Sequence, residues 1–506
     1  MAADLRKSLG VVDGVVIAAS STAATSSIGI GMGLIAGAVG LHLPVIMLLA
    51  FLPVLGIAAA FARLSRTEPN CGNSYVWVGR SLSPWLGFLS GWVNIVGTVV
   101  FLAYTTTVTG SVVLQLAGEA GLHSVAGLVL DPGNTLQTTL IGLVILACVT
   151  VAAVTGIDVA ARIQRYLLAF EYLVLLGFCG YGLFAGTHAF SSDWFNPLTI
   201  PSLSGLAQGM VLAVFCYWGF DAAFSVSEEV RDPRDASRGG LIALVTMLAL
   251  FLLGGTAFQR VLSPAQLADH GAEGLTFFGN RLAHQPLAAL PLVALMFSAV
   301  ASLQSGVIPT VRGMFAMGRD RTLGRVWTRI DPKYGTPALG TLLVGAIASL
   351  VAVGSLVIPR VSDLISAAVN AIGIVVALYY GLTALAAAVR FRGLLRGALR
   401  EALGSVVAPV LSAMVLFALG GYMCWGYATS TDHFALSADN GWFALMVPVL
   451  MVVSGVLAAA WAKWVRRSAY FDTGPATDAD APYLLAPGPT TVRPHHPTPH
   501  QPRSTA

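Results

Sequence analysis

The sequence predicts an all-α membrane protein of twelve transmembrane helices, two of them interrupted near mid-membrane. Three observations carry that prediction. The 506 residues have a mean hydropathy of +0.77, and only 10% are charged, far below the ~25% of soluble domains. The apolar stretches divide into twelve runs of about 20 residues or more, the length that crosses a ~30 Å hydrocarbon core. The basic residues then fall almost wholly on one side of the resulting topology.

The runs lie at 11–39, 43–63, 84–116, 136–156, 160–186, 203–231, 239–258, 286–317, 337–358, 362–389, 405–427 and 441–465, called spans 1 to 12 below. With the N-terminus inside, the outer loops hold only Arg260, Arg281 and Arg360 of the 28 lysines and arginines. The rest lie in the tails or at inner helix ends, for example Arg63, Arg66, Arg80, Arg162, Arg165, Arg390, Arg392 and Arg396. A miscounted span would scramble this asymmetry. It places the chain in the cytoplasmic membrane with both termini inside. The net charge of +4 is then mostly this excess, and no nucleic-acid partner is needed to explain it.

Residues 1–10 read as a short basic cytoplasmic segment. The apolar run after it is longer than a signal peptide's core and has no evident cleavage site, so it is expected to stay attached. Span 1 is interrupted by Ser20-Ser21-Thr22-Ala23-Ala24-Thr25-Ser26-Ser27-Ile28-Gly29, and span 6 by Cys216-Tyr217-Trp218-Gly219-Phe220-Asp221-Ala222. Irregular backbone at membrane depth survives only where protein or a wet cavity covers it, because lipid offers its N–H and C=O groups no partner. A matched pair of such breaks points to a transport site.

After span 2, Glu68-Pro69-Asn70-Cys71-Gly72-Asn73-Ser74-Tyr75-Val76-Trp77 reads as a turn followed by an interfacial helix. Span 6 runs into the charged stretch Ser227-Glu228-Glu229-Val230-Arg231-Asp232-Pro233-Arg234-Asp235. Span 8 ends in Met317-Gly318-Arg319-Asp320-Arg321. Glu228 and Glu229 with Arg231 and Arg234 are expected to form a cytoplasmic salt-bridge network acting as an inner gate. The five cysteines (Cys71, Cys148, Cys179, Cys216, Cys424) lack paired or metal-type spacing. No metal site or cofactor is called for. From about Ser468 the composition shifts to Pro, Thr, His and Asp, and 468–506 reads as a disordered cytoplasmic tail. A metal-chelating role for His495, His496 and His500 carries less weight than simple solvation.

The Pro69…Gly72…Tyr75 turn, the run from Gly219-Phe220-Asp221-Ala222 to Glu228-Glu229-Val230-Arg231-Asp232-Pro233, and Arg319-Asp320 with Tyr334-Gly335-Thr336-Pro337 resemble amino acid–polyamine–organocation permeases. The resemblance covers spans 1 to 10 in order. Spans 11 and 12 match only as hydrophobic segments. It implies a leucine-transporter-like fold of two five-helix inverted repeats, 11–186 and 203–389, with two further helices at 405–465. Spans 1 and 6 then hold equivalent places in the two halves.

A broken helix exposes N–H groups at the start of one half and carbonyls at the end of the other, with opposite partial charges. Together these suit a zwitterion. Spacing back from Pro44 places the unwound part of span 1 at Ala24, Thr25, Ser26, Ser27, Ile28 and Gly29. Many relatives read Gly-small-Gly-Ile-Phe there, and this chain reads Ser26-Ser27-Ile28-Gly29-Ile30-Gly31. The alternative is an unbroken Ser/Thr-rich helix whose hydroxyls bond to i−4 carbonyls. By the resemblance, Phe215 is an aromatic gate with Cys216, Tyr217 and Trp218 in the break. Gly97 and Thr98 on span 3, and Ser302 and Ser305 on span 8, then face the substrate, with helix packing as the competing role for these small residues.

An ionisable residue inside a span is a functional candidate, because its desolvation is costly. Glu171 lies nine residues beyond Arg162, about 13 Å inside the membrane edge at 1.5 Å per residue. Desolvation favours the neutral form of a carboxylate, so Glu171 is expected to be partly protonated and to serve in proton coupling. Several proton-coupled relatives carry a lysine there, at the site that sodium takes in related symporters. Glutamate reverses that charge logic. It fits a proton carrier first, and second a cation ligand together with span 1 carbonyls and hydroxyls such as Ser298 and Ser302. Asp221 is expected to cap the second half of span 6, with a protonation role second.

These readings converge on a secondary active transporter importing an amino acid by alternating access, coupled to protons. An amino acid/polyamine exchanger and a sodium-coupled symporter are the alternatives within transporters. A channel or a nutrient receptor is the alternative of a different class. The spans hold no His-Glu-x-x-His helix and no Ser/His/Asp set, which argues against an enzyme. The partners implied are a small amino acid or amine, protons or Na+, and the bilayer. Nothing in the sequence fixes the oligomeric state.

Overall fold

Proline and small polar residues set many of the helix starts. Pro44 opens span 2. Ser83 caps span 3 ahead of Pro84, its hydroxyl accepting from the Leu86 N–H at 3.3 Å. Ser202 caps span 6 through the Gly205 N–H at 3.0 Å, and Asn440 caps span 12 through the Phe443 N–H at 3.1 Å. Each side-chain oxygen takes one of the orphan donors of a first helical turn.

The computed structural model describes residues 9–154, 157–269, 274–358, 360–397, 399–431, 433–435 and 440–475. His495, His496, His500 and most of both terminal segments lie outside the described residues. Among those described, twelve helices are long and apolar enough to cross a membrane: Val11–Val39, Leu43–Thr67, Pro84–Glu119, Thr135–Val154, Arg162–Ala185, Leu203–Ser225, Arg234–Val261, Leu287–Arg319, Ala338–Val357, Val361–Arg390, Leu399–Ala428 and Gly441–Val465. The protein is an all-α, multi-pass membrane protein. The helix expected after span 2 runs over Ser74–Ser81, and its residues from Ser74 to Gly79 are buried in the protein. A small hairpin, Ser124–Val125 paired with Leu128–Val129, joins spans 3 and 4.

Spans 1, 6 and 10 are the most enclosed, with 78% of their apolar windows buried, whereas spans 5, 9 and 12 bury 33%. The two interrupted spans therefore sit at the centre. Spans 3 and 4 meet backbone to backbone, where a Cβ on Gly110 would fall 1.8 Å from the Thr138 carbonyl oxygen. Small residues give membrane helices this close approach.

Several expected boundaries change, and span 11 begins at Leu399 rather than at 405. Span 6 does not continue as helix to residue 231: it ends at Tyr217, resumes over Ala222–Ser225, and is followed by turns. The segment from Ser468 to residue 475 is packed rather than loose. Tyr470 is 2% exposed and stacks on Tyr75 with centroids 4.9 Å apart, while Phe471 packs on Trp85 and Phe88. The aromatic pair supplies apolar surface that the Pro/Thr/His composition farther along the tail lacks.

Candidate functional site

The break in span 6 is made by two residues. Trp218 leaves the helix at φ −63°, ψ 140°, and Gly219 follows at φ +114°. A Cβ on Gly219 would lie 2.6 Å from the Ser21 carbonyl carbon, so glycine is required by both the backbone angle and the touching backbones of spans 1 and 6. Gly219→Ala is expected to lower stability by about 1–3 kcal/mol through strain alone and to abolish transport. Unfolding in detergent together with uptake would measure both.

The break in span 1 lies one residue before its expected place. Ala23 adopts a left-handed conformation, φ 52°, ψ 66°, while Ala24–Ser26 is helical and Ser27–Gly31 is a π-turn. The stretch expected to be unwound is therefore wound. Its backbone is satisfied locally: the Ser27 N–H donates to the Ala23 carbonyl at 2.8 Å, and the Ser27 hydroxyl to the Thr22 carbonyl at 3.0 Å. Being helical, it presents only one face to any cavity.

Two cavities meet at these breaks. The first is lined by Ser26, Ser27, Phe215, Trp218 and Ser302, together with Phe101, Tyr104 and Thr105. The second extends toward the arginine-rich end and is lined by Thr98, Asn94, Asp221, Ser305 and Cys71. Ser21, Phe101 and Trp218 line both, and the Phe101 and Trp218 rings meet edge to face at 5.6 Å. Trp218 and Phe101 thus form the partition between the cavities.

The remaining expected residues turn elsewhere. Ala24 is fully buried, Ile28 packs on Gly254 and Gly29 on Leu275. Gly97 faces Val375, and the Cys216 sulfur packs on Gly31. The Tyr217 hydroxyl donates to the Met47 carbonyl at 3.1 Å, on the span 2 side. The face of span 3 that carries Phe101, Tyr104, Thr105 and Val108 was missed. Stepping from Thr98 by three and four residues along one helical face reaches it.

Thr25 has a different role. Its N–H, freed from a helical partner by the kink at Ala23, donates to the Glu171 carboxylate at 2.9 Å. Glu171 is fully buried, and its second oxygen has no hydrogen-bond partner among the described residues. The hydroxyls of Thr25 and Ser298 sit beside that carboxylate, and they too are buried without a partner. The break of span 1 thereby meets a carboxylate from span 5 and a hydroxyl from span 8, beside its own Thr25 hydroxyl.

Asp221 does not cap the second half of span 6, since its side chain makes no capping bond. It instead accepts hydrogen bonds from Tyr379 at 2.8 Å and Tyr380 at 3.0 Å on span 10. The Trp218 indole N–H donates to the Tyr379 hydroxyl at 2.8 Å. Two hydroxyls satisfy the carboxylate more fully than one short turn of N–H groups would, and the chain fixes the partition residue to span 10.

The charged closure at the arginine-rich end uses other partners than expected. Glu228 pairs with Arg319 at 2.8 Å and accepts the Cys71 N–H at 2.9 Å, and Glu229 pairs with Arg312 at 2.9 Å. Arg231 and Arg234 make neither pair, because the turns after span 6 aim both glutamates at span 8. Burial pushes the Glu228 carboxyl up, but Arg319 and the Cys71 N–H outweigh it and hold it below the ordinary range. The pair's stabilisation is therefore complete at neutral pH and is lost as pH falls through that lowered value. On the same side, Leu9 pairs with Val230, its N–H donating to the Glu229 carbonyl at 3.1 Å.

A family model described as amino acid permease matches residues 14–419. The methylthioribose transporter of Bacillus subtilis (strain 168) is 26% identical over 335 residues, covering 64% of this chain and 71% of that protein. The low-affinity putrescine importer PlaP of Escherichia coli (strain K12) is 24% identical over 337 residues, 63% of this chain and 68% of the relative. The branched-chain amino acid permease BcaP of Bacillus subtilis (strain 168) is 24% identical over 334 residues, 65% and 70% of the two chains. With twelve spans, two broken helices and a match over most of its length, the chain belongs to the amino acid permease family and is a transporter rather than an enzyme.

Proposed function

We propose that the protein imports an amino acid with a neutral side chain across the cytoplasmic membrane, driven by protons, by alternating access between the two cavities. Glu171 carries the coupling reading. Its carboxylate holds the Thr25 N–H, one residue from Ser26, whose unpartnered hydroxyl lines the cavity between the breaks. Protonation weakens the hydrogen bond that this oxygen accepts and gives the carboxyl a donor for the Ser298 or Thr25 hydroxyl. A proton at Glu171 is thereby felt at the substrate's place through one turn of span 1.

The substrate reading rests on the lining of that cavity. Among the described residues it contains no charged side chain, four hydroxyl residues on span 1, and the rings of Phe101, Tyr104, Phe215 and Trp218. Such walls suit an apolar or aromatic side chain with its zwitterionic end at the breaks. Putrescine, the substrate named for one relative, brings two ammonium groups. The nearby Asp221 is already engaged by two tyrosine hydroxyls, so a diamine is the weaker fit.

A second reading has its own observation. The unpartnered oxygens of Glu171, Thr25 and Ser298 are hard donors of the kind a small cation takes, which favours Na+ coupling. Uptake of the neutral amino acids and putrescine into proteoliposomes, under an imposed pH gradient and separately under a Na+ gradient, tests both. Accumulation of neutral amino acids driven by pH alone supports the proposal. Accumulation requiring Na+, or confined to putrescine, overturns it.

A further inference from the structure

We propose that the connection between spans 10 and 11 is a binding site for the headgroup of an anionic phospholipid. Residues 390–401 hold Arg390, Arg392, Arg396 and Arg400 against a single acid, Glu401. That acid is already taken by Arg63 on span 2 at 3.1 Å, and the Arg63 guanidinium also covers the Phe391 ring at 5.5 Å. Both ends of the segment are therefore tied to span 2. The four arginines of the segment are exposed and make no ion pair among the described residues.

Two further features distinguish this segment from an ordinary basic loop. Leu395 is 58% and Leu399 75% exposed, at the level where span 10 ends at Arg390 and span 11 begins at Leu399. Leucines there are covered by acyl chains, while the arginine stems reach along the same surface and keep their heads among the phosphates. The backbone is also ordered. A 3-10 turn spans Arg392–Arg396, with the Leu394 N–H on the Phe391 carbonyl at 2.9 Å and the Gly397 N–H on the Leu394 carbonyl at 3.0 Å. Guanidinium forks carried on such a backbone can match a phosphodiester bidentately.

The loop between spans 8 and 9 offers the contrast. It carries Arg325, Arg329 and Lys333, but its large apolar residues Leu323, Trp327 and Ile330 pack against the core. Charge asymmetry alone explains that loop and leaves nothing for a lipid to cover. In the span 10–11 segment the same sign of charge is joined to an open apolar surface.

The test uses the purified full chain in neutral detergent, with dioctanoyl phosphatidylglycerol, dioctanoyl phosphatidylcholine and inorganic phosphate as probes. The phosphatidylglycerol probe is expected to bind, and R392Q/R396Q/R400Q to weaken it by about tenfold or more. R325Q/R329Q/K333Q should leave it within about twofold, and phosphatidylcholine should bind neither protein measurably. Equal loss in the two triple variants would mean diffuse attraction and overturn the site. Inorganic phosphate binding as tightly as the lipid would make it a free-phosphate site and overturn the lipid assignment. Hydrogen exchange of the unmodified protein decides the matter without any variant: residues 391–401 should be better protected in phosphatidylglycerol nanodiscs than in phosphatidylcholine nanodiscs, and equal protection sinks the proposal.

Discussion

Replacing Glu171 by glutamine is expected to reduce pH-driven accumulation to the level seen without a gradient while leaving exchange at equal pH largely intact. Glutamine keeps an acceptor oxygen for the Thr25 N–H, which meets the carboxylate at 2.9 Å, so the kink at Ala23 and the cavity beside it persist. What it loses is the ability to bind and release a proton. Counterflow in proteoliposomes should therefore change by about fivefold or less, corresponding to ~1 kcal/mol, and should lose its pH dependence. Glu171→Leu is the contrasting variant. It leaves the buried Thr25 N–H without a partner, at a cost of ~1–3 kcal/mol, and should impair folding as well as coupling. Normal pH-driven accumulation by the glutamine variant would remove Glu171 from the coupling mechanism.

The features readable in the sequence were those written locally. Span lengths are properties of single segments, and Gly219 marks its own break because no other residue suits φ +114° against the Ser21 backbone. The break in span 1 carries no such mark. Ala23 takes a left-handed conformation inside a run of Ser, Thr and Ala in which every residue is equally plausible, so the expected site began one residue late. On a helix that shift matters, because one residue turns a side chain by 100°. Ala24, Thr25 and Ile28 consequently face the packing or Glu171, while Ser26 and Ser27 face the cavity. Pairings across long separations were the least legible. Nothing near Glu228, Glu229 or Asp221 in the chain names Arg319, Arg312 or Tyr379, since those partners are brought in only by packing spans 6, 8 and 10 together.

Removing Arg312 should be the most damaging single change at the arginine-rich end. Arg312 and Glu229 have side chains only 4% and 3% exposed, and they meet through two bonds, Nε to Oε1 at 2.9 Å and Nη2 to Oε2 at 3.3 Å. Truncation to alanine strands a buried carboxylate, a loss of ~3–5 kcal/mol, visible as a lower unfolding temperature in detergent. Replacing both residues by neutral groups of similar size, R312M/E229Q, removes the stranded charge and should recover most of that loss. The double variant still lacks the tie between span 8 and the turns after span 6, which in the proposed cycle must part for the inner cavity to open. Cys71, 1% exposed beside Glu228 and Arg319, reports that opening. Its labelling by a membrane-impermeant thiol reagent in inside-out vesicles should be faster in R312M/E229Q than in the unmodified protein. Recovered stability without faster labelling would assign the pair to folding alone, and a double variant as unstable as R312A would show that the two charges do not act as a pair.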